Sequence, residues 1–191
     1  IIRMKIDEGT RVVIDHVEIN GGQALSQGEM EDLLFEEAPG VLKRRLYWEE
    51  KLPEMLEIFV RKVQKKGFLS PTVTGPRTVF SDDKKGVQLI LDVETGIQTH
   101  IGKIEIKAND AVPQEKLLEV LPFRQGDAFD RDKLEEAKSN FVNQFKREGF
   151  ADAKFAESET QHPYTISPDQ RDATIHLKVI EGKRYTVGVI T

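Results

Sequence analysis

The apolar positions change period along the chain, and the changes come in the same order twice. Val12 to Ile19 alternates with β-branched residues, the pattern of a half-buried strand. Met30, Leu33 and Leu34 then mark the apolar face of a short helix, and Ser26 with Glu29 forms a capping box at its start. Leu52, Met55, Phe59 and Val63 follow at helical spacing and end at Gly67-Phe68. Pro53 lies awkwardly in that helix if it starts at Trp48, which predicts a later start or a kink. Two strands close the pattern, a polar one over about 71–80 and a strictly alternating one, Val87, Leu89, Leu91 and Val93, after the turn residues Ser81 to Gly86.

The second copy repeats each step. Ile101 to Ile106 opens it, Pro113 suits a first helical position, and Leu117, Val120 and Leu121 form the short-helix face. Asp130 is a good N-cap for the stripe Leu134, Ala137, Phe141 and Phe145, which ends at Gly149-Phe150. A polar strand is predicted over Ala153 to Thr160, and Ala173, Ile175, Leu177 and Val179 alternate after the turn from Ser167 to Asp172. The glycines Gly9, Gly96 and Gly182 each follow an acidic or polar residue and precede apolar positions five and eight residues on, 87 and 86 residues apart. The reading is α+β: tandem β-α-α-β-β units, each a three-stranded mixed sheet with two helices on one face. The last strand is expected in the centre and the weaker second strand at one edge. The boundaries are 1–10 for the end of a preceding unit, 11–97, 98–183, and 184–191 for the start of another unit or a linker. Ile1–Ile6 and Tyr185–Ile190 both read as strands, so a longer parent chain is expected.

Composition narrows the function. Charged residues make up 32% and the net charge is −5, with each repeat near −3, so nucleic acid is not an expected partner. The absence of cysteine excludes disulfides, thiolate metal sites and cysteine nucleophiles. No apolar run approaches the roughly 18 residues of a membrane helix. His16, His100, His162 and His176 lack metal-ligand spacing, the carboxylates of 127–136 lack the pattern of a calcium loop, and phosphate-binding and nucleophile-elbow motifs are missing. No cofactor, small-molecule substrate or catalytic activity is expected. A KH-type RNA-binding module shares the element order, but the GxxG loop it needs between its helices is missing.

The element order, the run Phe129 to Ala137 leading to Gly149-Phe150, and the ending Val179 to Tyr185 resemble the POTRA family, the polypeptide-transport-associated domains. The resemblance implies a periplasmic segment ahead of a C-terminal outer-membrane β-barrel. It implies a role in receiving unfolded outer-membrane protein clients and docking accessory lipoprotein subunits, beside neighbouring POTRA domains. A two-partner secretion transporter and a barrel-less periplasmic division scaffold are the alternatives. Client capture would proceed by strand addition to an exposed sheet edge. Pro71 and Gly75-Pro76 blunt the first repeat's edge, so the expected edge is Ala153, Lys154, Phe155, Ala156, Glu157, Ser158 and Glu159 of the second. Phe68 and Phe150 read as core plugs. Tyr47 and Trp48 read as a cap on the core or, with Lys43, Arg44 and Arg45, as a contact for a partner.

Overall fold

The computed structural model describes residues 11–107, 111–156 and 162–186. Ile1–Ile6 and residues 187–190 of the strands read at the two ends therefore lie outside the described residues, as do Glu157, Ser158 and Glu159, while Tyr185 and Thr186 are described and are not strand. The chain divides into two compact units at Gly96–Ile97, with 65–67 assigned to the second.

The first unit runs β1 (Val13–Gly21), α1 (Gln27–Phe35), α2 (Leu52–Lys65), β2 (Thr72–Phe80) and β3 (Gly86–Glu94). Its sheet has the order β1-β3-β2, with β1 parallel and β2 antiparallel to the central β3. The expected central place of the last strand is found, and its alternation explains it: Val87, Leu89, Leu91 and Val93 are all buried. They share one cluster with Ile14, Val17 and Ile19 of β1, Met30 and Leu34 of α1, and Met55, Phe59 and Val63 of α2. The capping box at Ser26 and Glu29 is present. Pro53 is accommodated by the later start: a 3-10 turn over Glu49–Lys51 precedes α2, so Pro53 occupies its first turn, where no N–H is needed.

The second unit runs β4 (His100–Lys107), α3 (Gln114–Glu119), α4 (Arg131–Arg147), β5 (Lys154–Phe155), β6 (Tyr164–Ile166) and β7 (Asp172–Ile180). β7 is central, parallel to β4 and antiparallel to both β5 and β6. The Asp130 side chain accepts from the N–H groups of Asp132 and Lys133, and Leu134, Ala137, Phe141 and Phe145 are buried as predicted. Phe68 and Phe150 are buried too.

Two expectations need correction. Pro113 is the N-cap of α3 rather than its first helical residue. The second unit's sheet also has a strand, β6, beyond the predicted Ala153–Thr160. Among the described residues only Lys154 and Phe155 of that stretch are strand, Ala153 is buried in the turn before them, and β6 makes this a four-stranded sheet. The physical reason is the hairpin. A strand joined to β7 through the Ser167–Asp172 turn must end at that turn, and Ile166 does so, opposite Ala173.

Candidate functional site

A sheet edge is a row of unpaired N–H and C=O groups, so the first thing each unit offers a polypeptide is the outer side of its second strand. In the first unit that strand is long. β2 spans nine residues and, among the described residues, pairs with β3 on one side only. Its register shifts between Thr74 and Arg77, at Gly75 and Pro76, whose peptide bond is cis. Gly75 has φ 110, and a Cβ there would stand 2.8 Å from the Ile90 carbonyl oxygen, so only glycine fits. Pro76 contributes no N–H. The edge is thus divided into two short ladders, Thr72–Thr74 and Arg77–Phe80.

Alongside the edge lies an apolar groove of about 380 Å³, lined by Leu56, Glu57, Val60, Arg61 and Val73. Leu56 and Val60 are one turn apart on α2, just beside the stripe that fills the core, and Val73 is the residue of β2 opposite Val93. Leu56 and Val73 touch the core and stay partly exposed. Side chains of an added strand that pointed to the helix side would enter this groove while its backbone met β2. Glu57 and Arg61 put one charge of each sign on the rim.

The far end of β2 also carries exposed apolar side chains. Phe80 is 46% exposed and packs edge-on against Tyr47, with ring centroids 5.5 Å apart. Val79 is 53% exposed and Trp48 42%. The Trp48 Nε1 donates to Glu50, and Lys51 lies over its ring. Burial, and then the Glu49 carboxylate, push the Tyr47 phenol up against the opposing pull of Thr78. Of the residues read as a partner contact, the structure therefore brings Tyr47 beside the β2 edge and leaves Trp48 exposed. Arg45 is committed inward, its guanidinium on Glu31 and over the Phe35 ring, while Lys43 and Arg44 are exposed on a 3-10 turn.

In the second unit the described part of the corresponding edge is Lys154–Phe155 and Tyr164–Ile166. Lys154 is exposed, Phe155 and Ala156 are half-buried, and Lys138 of α4 covers the Phe155 ring at 5.2 Å. The hairpin loops are alike in both units: Ser81 Oγ donates to Asp83 at 2.8 Å, and Ser167 Oγ to Asp169 at 2.6 Å. The Asp83 carboxyl is held low first by the Lys85 backbone N–H, and Asp169 first by the Ser167 hydroxyl. His176 bridges Glu105 on β4 and Thr165 on β6. Among the described residues no group of three or more His, Cys, Asp or Glu is placed to hold a metal ion, and no helix is long and apolar enough to cross a membrane.

The groove was not singled out from the sequence. Its signal was available in Leu56 and Val60, an apolar pair at i and i+4 outside the core stripe of α2. The place of β6 was available as well, because an offset of 86 residues sets Tyr164–Ile166 against Thr78–Phe80.

Comparison with known proteins bears on both units. Residues 99–182 match the model of the POTRA family, described as surface antigen variable number repeat. A crystal structure of POTRA domains 3 to 5 of BamA from Haemophilus influenzae is 17% identical, with a TM-score of 0.54 over 95% of this chain and 71% of that one. The N-terminal domain of Omp85 from Thermosynechococcus elongatus is 16% identical, with a TM-score of 0.51 over 92% of this chain and 65% of that one. At such identities the likeness is one of fold, and it spans both units.

Proposed function

We propose, with the POTRA match of residues 99–182 and the POTRA-like fold of both units as the premise, that this chain is a periplasmic binding segment of an outer-membrane β-barrel assembly or transport protein. It receives unfolded outer-membrane polypeptides by strand addition, docks accessory lipoprotein subunits, and works ahead of a membrane barrel without catalysis of its own. The observation that carries this reading is the outer edge of β2, unpaired among the described residues, beside the groove of Leu56, Val60 and Val73. Main-chain bonds to an edge are indifferent to sequence, and an apolar groove asks only for alternate apolar side chains. Together they suit a receptor for many barrel strands, which alternate in that way.

The first unit's edge is taken as the candidate because its nine residues run beside the groove. Chemical-shift mapping with an unfolded barrel-strand peptide tests the assignment. Shifts at Thr72–Phe80 together with Leu56 and Val60 are expected. Shifts confined to Ala153–Ala156, or to neither edge, would overturn it. Accessory docking is assigned to the exposed patch of Trp48, Lys43 and Arg44, and Trp48→Ala is expected to weaken subunit capture while leaving peptide binding unchanged.

A further inference from the structure

The opposite edge of the second unit carries a separate inference. In the first unit β1 is well covered on its helix side, with Ile14, Val17 and Ile19 buried. Its outer edge is covered at the start by 45–47, through Ile14 N–H to Arg45 C=O and Tyr47 N–H to Val12 C=O. Further along, the Gln27 side chain donates to the Val17 carbonyl at 2.9 Å. The first unit thus covers the start of this edge and the Val17 carbonyl with its own groups.

In the second unit only the start is closed. Ile101 exchanges backbone bonds with Gly126 and Asp127. Beyond it, Lys103 to Lys107 has β7 on one side and, among the described residues, no strand on the other. Gln114 stands 87 residues after Gln27, yet makes no matching bond to β4 among the described residues. Ile104 and Ile106, whose partners on β7 are the fully buried Ile175 and Leu177, are themselves only half-buried. The six-residue α3 is shorter than the nine-residue α1 that covers the equivalent face. An open edge therefore coincides with half-exposed apolar side chains on one face.

The other face is charged in a defined order. Lys103 pairs with Glu105, which also meets His176. Lys107 stands in register with Lys178 of β7, and both are exposed. Two like charges side by side favour a carboxylate between or beside them. We propose that Lys103–Lys107 takes a strand from a protein partner that has apolar residues at alternate positions and a carboxylate opposite Lys107. The apolar residues would lie beside Ile104 and Ile106 and complete the cover that α3 leaves open. This site is distinct from the β2 edge and does not depend on it.

The test uses the full chain, isotopically labelled, with a short peptide alternating valine and glutamate, its lysine twin, and the glutamate peptide N-methylated along one edge. The glutamate peptide is expected to shift the amides of Lys103–Lys107 and to bind about fivefold more tightly than the lysine twin, the scale of a few exposed charge contacts. The double variant Lys107→Glu/Lys178→Glu is expected to reverse that order with an unchanged circular dichroism spectrum, and N-methylation to abolish binding. Equal affinity of the twins, shifts confined to Thr72–Phe80 or Tyr164–Ile166, or no binding would each overturn the proposal. Peptide shifts at Thr72–Phe80 that persist in the double variant belong to the other edge.

Discussion

The two units fill the same bulge with the same pair of residues exchanged between strands. In the first, β1 bulges at Asp15, between Ile14 and His16, and the carboxylate lies where a Cβ on Gly86 of β3 would stand. In the second, β4 bulges at Gly102, between Ile101 and Lys103, and it is Asp172 of β7 that lies against the glycine, 2.9 Å from where a Cβ would be. One aspartate and one glycine are present each time, on opposite strands. The repeat constrains the volume shared across the bulge and leaves open which strand supplies the side chain. The same contrast holds for the edges. The first unit has a second strand of nine residues and covers the start of its first; in the second unit, among the described residues, Lys103–Lys107 has no strand on its outer side.

The largest expected effect tests whether the units are energetically separate. Phe59 and Phe141 are fully buried in equivalent helices, so truncation of either to alanine should cost about 3–5 kcal/mol. Hydrogen exchange by residue should show the loss in the mutated unit only; loss of protection in both would merge them into one cooperative body. Next comes the exchanged pair. Gly86→Asp alone sets two carboxylates in one place and should cost about 1–3 kcal/mol by denaturant unfolding. Adding Asp15→Gly should recover most of it, and an additive result would end the idea of a shared volume. Ser81→Ala and Ser167→Ala each remove a matched loop hydroxyl and should cost about 1 kcal/mol apiece; unequal costs would show that the two loops are alike only in geometry.

The smallest effect is set by pH. Asp83 in the first unit and Glu105, Glu148 and Asp169 in the second have carboxyls held below their ordinary values; Lys103 acts first on Glu105 and Lys116 first on Glu148. A group lowered by folding stabilises above its unfolded pKa and loses that contribution as pH falls through the lowered value. Both units should therefore weaken below about pH 4, the second more than the first. Unit-resolved denaturation at pH 7 and pH 3 measures the difference, and an equal loss would count against it.

Much of this was legible in the sequence because it rests on local rules. The stripes of α2 and α4, the Ser26 capping box, the Asp130 cap and the central position of β3 and β7 follow from spacing and alternation alone. Gly67 and Gly149 do take the positive φ expected at helix ends. What escaped depends on partners far apart in the chain. The polar residues after Ala153 alternate like a strand, and Lys154–Phe155 does pair with β7, but the segment that meets β7 across the hairpin turn is Tyr164–Ile166. The groove requires Val73 to arrive beside Leu56 and Val60, and the half-cover of Ile104 and Ile106 depends on how short α3 is. None of these is written within a single window of the sequence.

The parallel pairing of β1 with β3 has a kinetic consequence. Val13 meets Gly86 and Gly21 meets Val93, so the first strand of the unit has no sheet partner until the last has been delivered. Non-local pairing of this kind slows folding, because the intervening chain must be closed into a loop before any ladder bond is gained. While a unit emerges from the ribosome or a translocation pore, α1 and α2 can form early and 45–47 can cover the start of β1, but its inner edge waits for β3. Its sheet can close only after the last strand has emerged.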